Sequence, residues 1–320
     1  MSQSDNSELQ DAGLAADADF KAPLKRVSYQ PGMLLGLEAT RAEQEYHRRH
    51  LNRHGYWLHG SGTVAGLRIN AKGDDPGDDT THALVRLHVS PGIGLDGLGR
   101  EITVSEPYCI DLGAWLTSQF EDTENDSWGA LIRDGYEQAI IDSETVDLLW
   151  LKVTMRYQEN PSGLQPVLAT DVNASTDAVK PSRLQDCVLF ELVAERPADA
   201  ATGDHPFAAH NALPTWDTDL ANRLSQGERD LIDAASSSEK EQLQLAARLL
   251  YTLGDDNNAL VPRQELTITA AELARTLLAR VAIRLTAARE LIVNPRRVSV
   301  NNLVRPFIFN ATTLAQLIRK

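Results

Sequence analysis

Sulfur is scarce in this chain. Its 320 residues hold two cysteines and three methionines, and Cys109 and Cys187 stand far apart in sequence. Two distant thiols can supply neither a disulfide framework nor a four-cysteine zinc site. Positive charge is also short: 31 Lys and Arg face 45 Asp and Glu, a formal net charge of -14. A general nucleic-acid binder needs clustered cations to neutralise phosphate, and an anionic membrane surface needs the same, so both are disfavoured as partners. Long apolar runs are missing as well. The most apolar stretch, Leu273 to Val293, is broken by Arg275, Arg280, Arg284, Arg289 and Glu290, which excludes a membrane span there. Residues 1–20 are polar and acidic with no apolar core, so no signal peptide is expected. What remains is ordinary: 42% hydrophobic and 24% charged residues describe a soluble protein of a reducing compartment, long enough for one large domain or two smaller ones.

Along the chain, residues 1–26 read as a disordered acidic tail, too poor in apolar side chains to offset the entropy of ordering. A helix is predicted over Leu37–His54, where Leu35, Ala39, Ala42 and Tyr46 follow helical spacing and Gly55 is placed to end it. Strand-like segments follow, separated by turn residues such as those of Gly73–Asp79. They are Thr63–Ile69, Ala83–Val89, a strand, turn and return strand within Pro91–Val104, then Val146–Gln158 and Cys187–Ala194. Trp115–Asn125 reads as a short helix and an acidic loop. From Trp216 to Leu253 the pattern is helical, with Ser225-x-x-Glu228 and Ser238-x-x-Glu241 as capping boxes. Leu243, Ala246, Leu249, Leu250 and Leu253 form an apolar stripe there. Thr269-x-x-Glu272 opens another helix, and Arg280–Leu285, Val298–Val300 and Val304–Phe309 read as closing strands, with a turn at Asn294-Pro295.

The expected fold is α+β: a mainly antiparallel β core, sandwich or barrel-like, with an N-terminal helix and a helical insertion. Its divisions are a tail over 1–26, helix plus β-rich core over 27–212, the insertion over 213–260, and core-completing strands and helix over 261–320. Alternation places Leu67, Ile69, Leu87, Val89, Ile102, Val104, Leu149, Leu151, Val153, Leu189 and Val281 inward.

Motifs that carry chemistry fare poorly. Gly92-x-Gly94-x-x-Gly97 matches a dinucleotide fingerprint, and Gly60-x-Gly62-x-x-Ala65 a looser one. Pyrophosphate binding requires a strand before the loop and a helix after it, and neither match has that context. Both read as tight turns. Glu43, His47, His50 and His54 lie along one helical face with His59 just beyond, which is suitable ligand chemistry for zinc. The H-E-x-x-H pattern is missing, however, and Arg48, Arg49 and Arg53 crowd the segment. A structural role for Glu43, His47, His50 and His59, fixing a helix-to-turn junction by hydrogen bonds, is the preferred reading. No G-x-S-x-G elbow occurs, and neither cysteine has a catalytic flanking motif. Arg296, Arg297 and Arg305 form a small basic cluster suited to an acidic neighbour or to the chain's own carboxylates.

Two segments carry a resemblance. Tyr29–Ile69 contains Gly32-x-Leu34-Leu35, Glu43-Gln44-x-Tyr46-His47, His59-Gly60-x-Gly62 and Gly66-Leu67. Val89–Val104 adds a Pro-Gly turn, then Leu95-Asp96 and Gly99-Arg100-Glu101-Ile102. In this order they resemble the signature of structural, baseplate-associated proteins of phage-tail-like contractile injection systems, and Arg297–Phe309 resembles the closing strand more loosely. The resemblance implies a non-enzymatic building block without a cofactor. Its partners would be copies of itself and other subunits of a contractile particle, with no nucleic acid and no membrane span. It would be cytoplasmic during assembly and part of a particle that can be released. Within it, Glu43, His47, His50, His59, Gly60, Gly62, Gly92, Asp96, Gly99 and Arg100 are structural-motif residues. The insertion has no counterpart in that signature; its apolar stripe makes Leu243, Leu249, Leu250 and Leu253 the expected partner contact, with covering by the chain's own core as the alternative. Two other readings stand beside it. One is a carbohydrate- or receptor-binding tail module displaying Trp57, Trp128 and Trp216; the other is a histidine-ligated metalloenzyme.

Overall fold

The computed structural model describes residues 17–73, 85–141, 144–166, 179–197, 213–253, 269–285 and 298–309, with Leu14 and Leu260. The Gly73–Asp79 cluster beyond its first residue, the loop 254–258, the Asn294-Pro295 turn, Arg296 and Arg297 lie outside the described residues. The fold is α+β with antiparallel sheets, an N-terminal helix and a helical insertion. The chain divides into two compact units, one of residues 1–61, 97–99 and 208–274, the other of residues 62–96, 100–207 and 275–320.

The first unit is helical. α1 (Leu37–His59) runs through Gly55, which is buried within it, and ends at Gly60, whose φ of +76° carries the chain out of the helix. The expected stop at Gly55 is therefore corrected: one glycine costs a helix only about 1 kcal/mol, and four helix-compatible residues follow it. The buried residues of α1 include Asn52 and Tyr56, whereas Leu35 and Ala42 are exposed. The segment expected as a tail is packed from Asp17 onward. Phe20 is buried against the Tyr56 ring at 4.8 Å, and Arg48 Nη1 donates to Asp17 Oδ2 at 2.6 Å. Arg49 and Arg53 donate to the Asp19 carbonyl, and Arg53 also to that of Ala22. The arginines that seemed only to crowd the histidines thus hold this strap.

α4 (Thr218–Arg223), α5 (Gln226–Ala234) and α6 (Ser237–Leu250) form the insertion, around Leu224, Ile232 and Ala247 with Trp216, Leu243 and Tyr251 against them. Ser225 and Glu228 make the expected capping box. The second box is Ser236 with Glu239, not Ser238 with Glu241. The run of three serines offers both registers, and the helix takes the one that starts earlier. α7 (Ala270–Leu273) opens with the expected Thr269–Glu272 box. Its Leu273 and the following Ala274 pack with Leu98, Leu14 and Ala18.

The second unit holds the sheets. β1 (Gly62–Gly66), β4 (Gly92–Leu95) and β5 (Glu101–Val104) form one; β2 (Ile69–Gly73), β3 (Val85–Val89) and β6 (Tyr108–Asp111) form another. The third has order β11 (Val298–Asn301), β10 (Thr276–Leu285), β8 (Glu144–Pro166), β7 (Tyr136–Ile141), with β9 (Val179–Ala194) also pairing β8. α2 (Leu112–Glu121) and α3 (Ser127–Gly135) precede β7, and α3 was not anticipated. The Thr63–Ile69 strand is broken, because Leu67 adopts φ +56° between β1 and β2. Val304–Phe309 is no strand; it forms a turn and a single parallel bridge from Phe307 to Thr63.

The core contains ten of the eleven residues expected inward. The exception is Leu189. Pairing opposite Arg156 puts it on the other face, and Val188, Phe190, Leu192 and Ala194 pack inward instead. The run Cys187–Ala194 is apolar on both phases, so alternation alone could not select one.

Candidate functional site

On α1, Glu43 Oε2 accepts from the Val27 amide at 3.0 Å and its Oε1 lies 3.1 Å from His47 Nε2. His50 stacks on Tyr46 with ring centroids 5.9 Å apart, and His54 meets His59 edge-on at 5.8 Å. Tyr46 also meets His47 edge-on at 5.3 Å, so the imidazoles are engaged by Glu43, Tyr46 and one another along the helix. Among the described residues no three His, Cys, Asp or Glu side chains are grouped so as to hold a metal ion. Burial, then the charge of Arg49, lowers the Arg53 pKa, with Asp19 opposing.

Gly99, of the same unit, is under two constraints. Its φ is +78°, and a Cβ there would stand 1.8 Å from the Asn52 carbonyl oxygen. Only glycine fits so close to the backbone of α1.

In the sheet unit, Asp96 and Arg100 close the hairpin from β4 to β5. Asp96 Oδ1 accepts from the Arg100 amide at 2.9 Å and Oδ2 from Arg100 Nε at 2.7 Å. Both side chains are at least nine-tenths buried. The Arg100 guanidinium also lies 5.2 Å from the centre of the Tyr157 ring, a cation–π distance. Burial, then the neighbouring Asp186 and Glu159 carboxylates, pushes the Tyr157 pKa up. Gly62 begins β1 and Gly92 begins β4. A Cβ on Gly66 (φ +68°) would meet the Pro91 carbonyl oxygen at 2.1 Å, which ties the first signature segment to the Pro-Gly turn of the second.

The sequence reading missed the residues that lock this junction. Asn302 acts as a substitute β partner: its Oδ1 accepts from the Ile69 amide at 2.8 Å and its Nδ2 donates to the Ile69 carbonyl at 2.9 Å. Arg305, expected in a basic cluster meeting carboxylates, is instead 2% exposed among carbonyl oxygens. It donates to the carbonyls of Leu67 and Asn302 at 2.7 and 3.0 Å, and also to Asn302 Oδ1. Burial lowers its pKa to about 10. Thr63 and residues 306–308 exchange backbone hydrogen bonds at 2.9 Å. No local pattern marks these partners, which stand more than 230 residues apart.

The insertion has two apolar faces. Leu243 and Ala247 face its own core, whereas Leu231, Leu245, Leu249 and Leu250 are 58%, 45%, 57% and 69% exposed. The expected stripe is thus divided: Leu243 packs inward, Leu249 and Leu250 point outward, and Leu253 is half-buried.

Elsewhere in the sheet unit, a cleft of about 650 Å³ is lined by Asp134, Glu137, Glu195 and Arg196 among others. All three of its carboxylates are engaged, Asp134 by Arg133 Nε at 3.3 Å. Glu137 accepts from Trp150 Nε1 at 2.7 Å, and Glu195 pairs with Lys152 and Arg280. Trp128 packs against the sheet unit's core and Trp216 against the insertion's, and Trp57 is 37% exposed beside Phe20 and Tyr56. No described helix is long and apolar enough to cross a membrane.

No protein-family model and no curated protein matches the chain. Among solved structures it is similar to a crystallised TssK, at 11% identity and a TM-score of 0.23, covering 71% of this chain. It is also similar to a chain of the baseplate complex from the type VI secretion system, at 12% identity and a TM-score of 0.25, covering 72% of this chain and 77% of that one. A chain of the TssK-TssF-TssG baseplate subcomplex matches at 13% identity and a TM-score of 0.21, covering 72% and 79%. The chain spans about half, 54%, of the length of the crystallised TssK it matches.

Proposed function

We propose that this protein is a non-enzymatic structural subunit of a phage-tail-like contractile injection particle, acting at or near the baseplate as one copy in a ring or peripheral shell. The observation that carries the reading is the outward face of the insertion. A helix in a free-standing domain needs one apolar face, and α6 has that face filled by its own core. The second set of leucines, Leu245, Leu249 and Leu250 with Leu231 of α5, is the composition of a contact between subunits. The signature residues support the same reading: Asp96, Arg100, Gly66 and Gly99 are spent on turns and close backbone packing.

The test is imaging and subunit quantification of particles from the producing cell, with wild type, with residues 216–253 deleted, and with Leu249→Glu/Leu250→Glu. Wild-type protein should be present in particles, and both variants should be lost from them or depleted. Particles that never contain the wild-type protein would sink the function. Particles carrying the variants at full occupancy would sink the contact face.

A further inference from the structure

We propose that Cys109 and His88 form an activated thiol site, at which an anionic low-molecular-weight disulfide converts the sulfur to a mixed disulfide. The pair lies on the outward face of the β2-β3-β6 sheet, and the inference stands apart from the particle reading. Along β3, buried Val85, Leu87 and Val89 alternate with Arg86 and His88, which point away from the core. Register sets Asn70, His88 and Cys109 side by side on three adjacent strands, and Lys72, Arg86 and Asp111 side by side in the next row. Partners directly across two strands share a face and stand about 5 Å apart at Cβ. Cys109 Sγ lies 3.9 Å from His88 Nε2, within hydrogen-bond range for sulfur. Cys109 is exposed and sits on an edge strand, so a reagent reaches it from solvent.

The thiolate is the nucleophile in thiol chemistry, and a neighbouring imidazole supplies it by taking the proton. Here the Cys109 proton passes to His88 Nε2, and the sulfur forms a bond to one sulfur of the incoming disulfide. The reagent's S–S bond breaks, and the departing thiolate takes the proton from His88. Cys109 is thereby oxidised to a mixed disulfide, and the other half of the reagent is reduced to a thiol. The charges beside the pair select the reagent. Arg86 and Lys72 are exposed and have no ion-pair partner among the described residues. Asp111, the carboxylate of their row, is taken up in capping α2, where it accepts from the Ala114 amide at 2.9 Å. Two cations one row from the thiol suit the carboxylates of a peptide disulfide such as oxidised glutathione. Cys187 has no such setting: it is half-buried on β9, and its cross-strand partner is Gln158.

The test uses the full chain with Cys187→Ser, so that one thiol remains. Intact mass follows mixed-disulfide formation with oxidised glutathione at about pH 7 and about pH 9.5. A free thiol is only a few per cent thiolate at neutral pH, which caps the gain from an imidazole at roughly thirtyfold. His88→Gln should slow the reaction roughly tenfold at neutral pH and leave it unchanged at the alkaline one, where a thiol ionises without help. His88→Thr, better suited to a strand, is the second variant and should behave the same way. Arg86→Gln should slow the reaction with oxidised glutathione about threefold and leave that with neutral hydroxyethyl disulfide unchanged. Equal rates for parent and His88 variants at neutral pH would overturn the site. Slowing that persists at alkaline pH would trace the effect to access and overturn it as well. An Arg86 variant that slows both reagents alike, or neither, would overturn the choice of an anionic reagent.

Discussion

Arg305 donates from Nη1 to the carbonyl oxygen of Leu67 at 2.7 Å, and so secures a buried leucine whose backbone is left-handed. Removing the guanidinium leaves that carbonyl and the carbonyl of Asn302 without their side-chain donor inside the sheet unit. Arg305→Ala should cost about 3 kcal/mol or more of unfolding free energy, read by urea titration, because unmet buried polar groups are expensive. Arg305→Lys should recover only part of the loss, since an ammonium cannot span the same three acceptors.

Leu67 itself separates strain from packing. Leu67→Ala keeps the φ of +56° and loses core volume, at a cost of about 2–5 kcal/mol. Leu67→Gly loses slightly more volume but relieves about 1 kcal/mol of left-handed strain. The glycine variant should therefore be no less stable than the alanine variant, the reverse of the usual order. A glycine variant less stable by 1 kcal/mol would contradict the kink.

Gly99→Ala combines an unfavourable φ with a Cβ 1.8 Å from the Asn52 carbonyl oxygen. Loss of about 3 kcal/mol or failure to accumulate folded protein is expected, measured by thermal melting and soluble yield. Gly32→Ala is the control for positive φ alone. Its φ is +82°, but its Cβ position is open, so the smaller backbone penalty of about 1 kcal/mol applies.

The capping boxes make the insertion sensitive to acid. The Ser225 amide and hydroxyl lower the Glu228 pKa, and the Ser236 hydroxyl and amide lower that of Glu239, from an ordinary value of 4.5. A depressed folded-state pKa means stability that is present above the unfolded value and lost as pH falls through the folded one. Far-UV circular dichroism should show helix content falling below about pH 4.5, with part of that loss abolished in Glu228→Gln/Glu239→Gln. An identical acid profile in the double variant would refute the assignment.

The two faces of the insertion should respond differently to truncation. Ile232→Ala removes a side chain that is 5% exposed and should cost about 2–5 kcal/mol. Leu250→Ala, at 69% exposed, should change stability by less than about 0.5 kcal/mol. Equal losses would mean that Leu250 is covered in the free protein.

Sequence pattern exposed the parts of the fold in which one side chain in two faces water. β3 alternates buried Val85, Leu87 and Val89 with more accessible Arg86 and His88, and that contrast is visible in the letters. It failed where both phases are apolar, as around Leu189, and where two registers are equally written, as at Ser236 and Ser238. The kink at Leu67 was hidden because leucine carries no preference for the left-handed region; Gly66 beside it was the only local signal. Arg305 was misread for a related reason. An arginine near other arginines reads as a partner for carboxylates until the chain's other end supplies carbonyls for it to bind. Of the candidate contact residues, spacing found the insertion's leucines but not which way each faced, since that depends on how α5 packs against α6.

The pairing of Ile69 with Asn302 also imposes a schedule on biosynthesis. β1 and β2 leave the ribosome early, yet the amide that completes Ile69 is made 233 residues later, and the guanidinium that holds Leu67 follows it by three more. At roughly 5–20 residues per second, the young strands wait on the order of ten seconds or longer with that edge open. Non-local closure of this kind is slow to form and exposes unpaired strand to its neighbours in the meantime. A ribosome that stalls or a nuclease that truncates the message before codon 302 would release a chain whose signature segment is complete in sequence and unfinished in structure, ready to pair with the wrong strand.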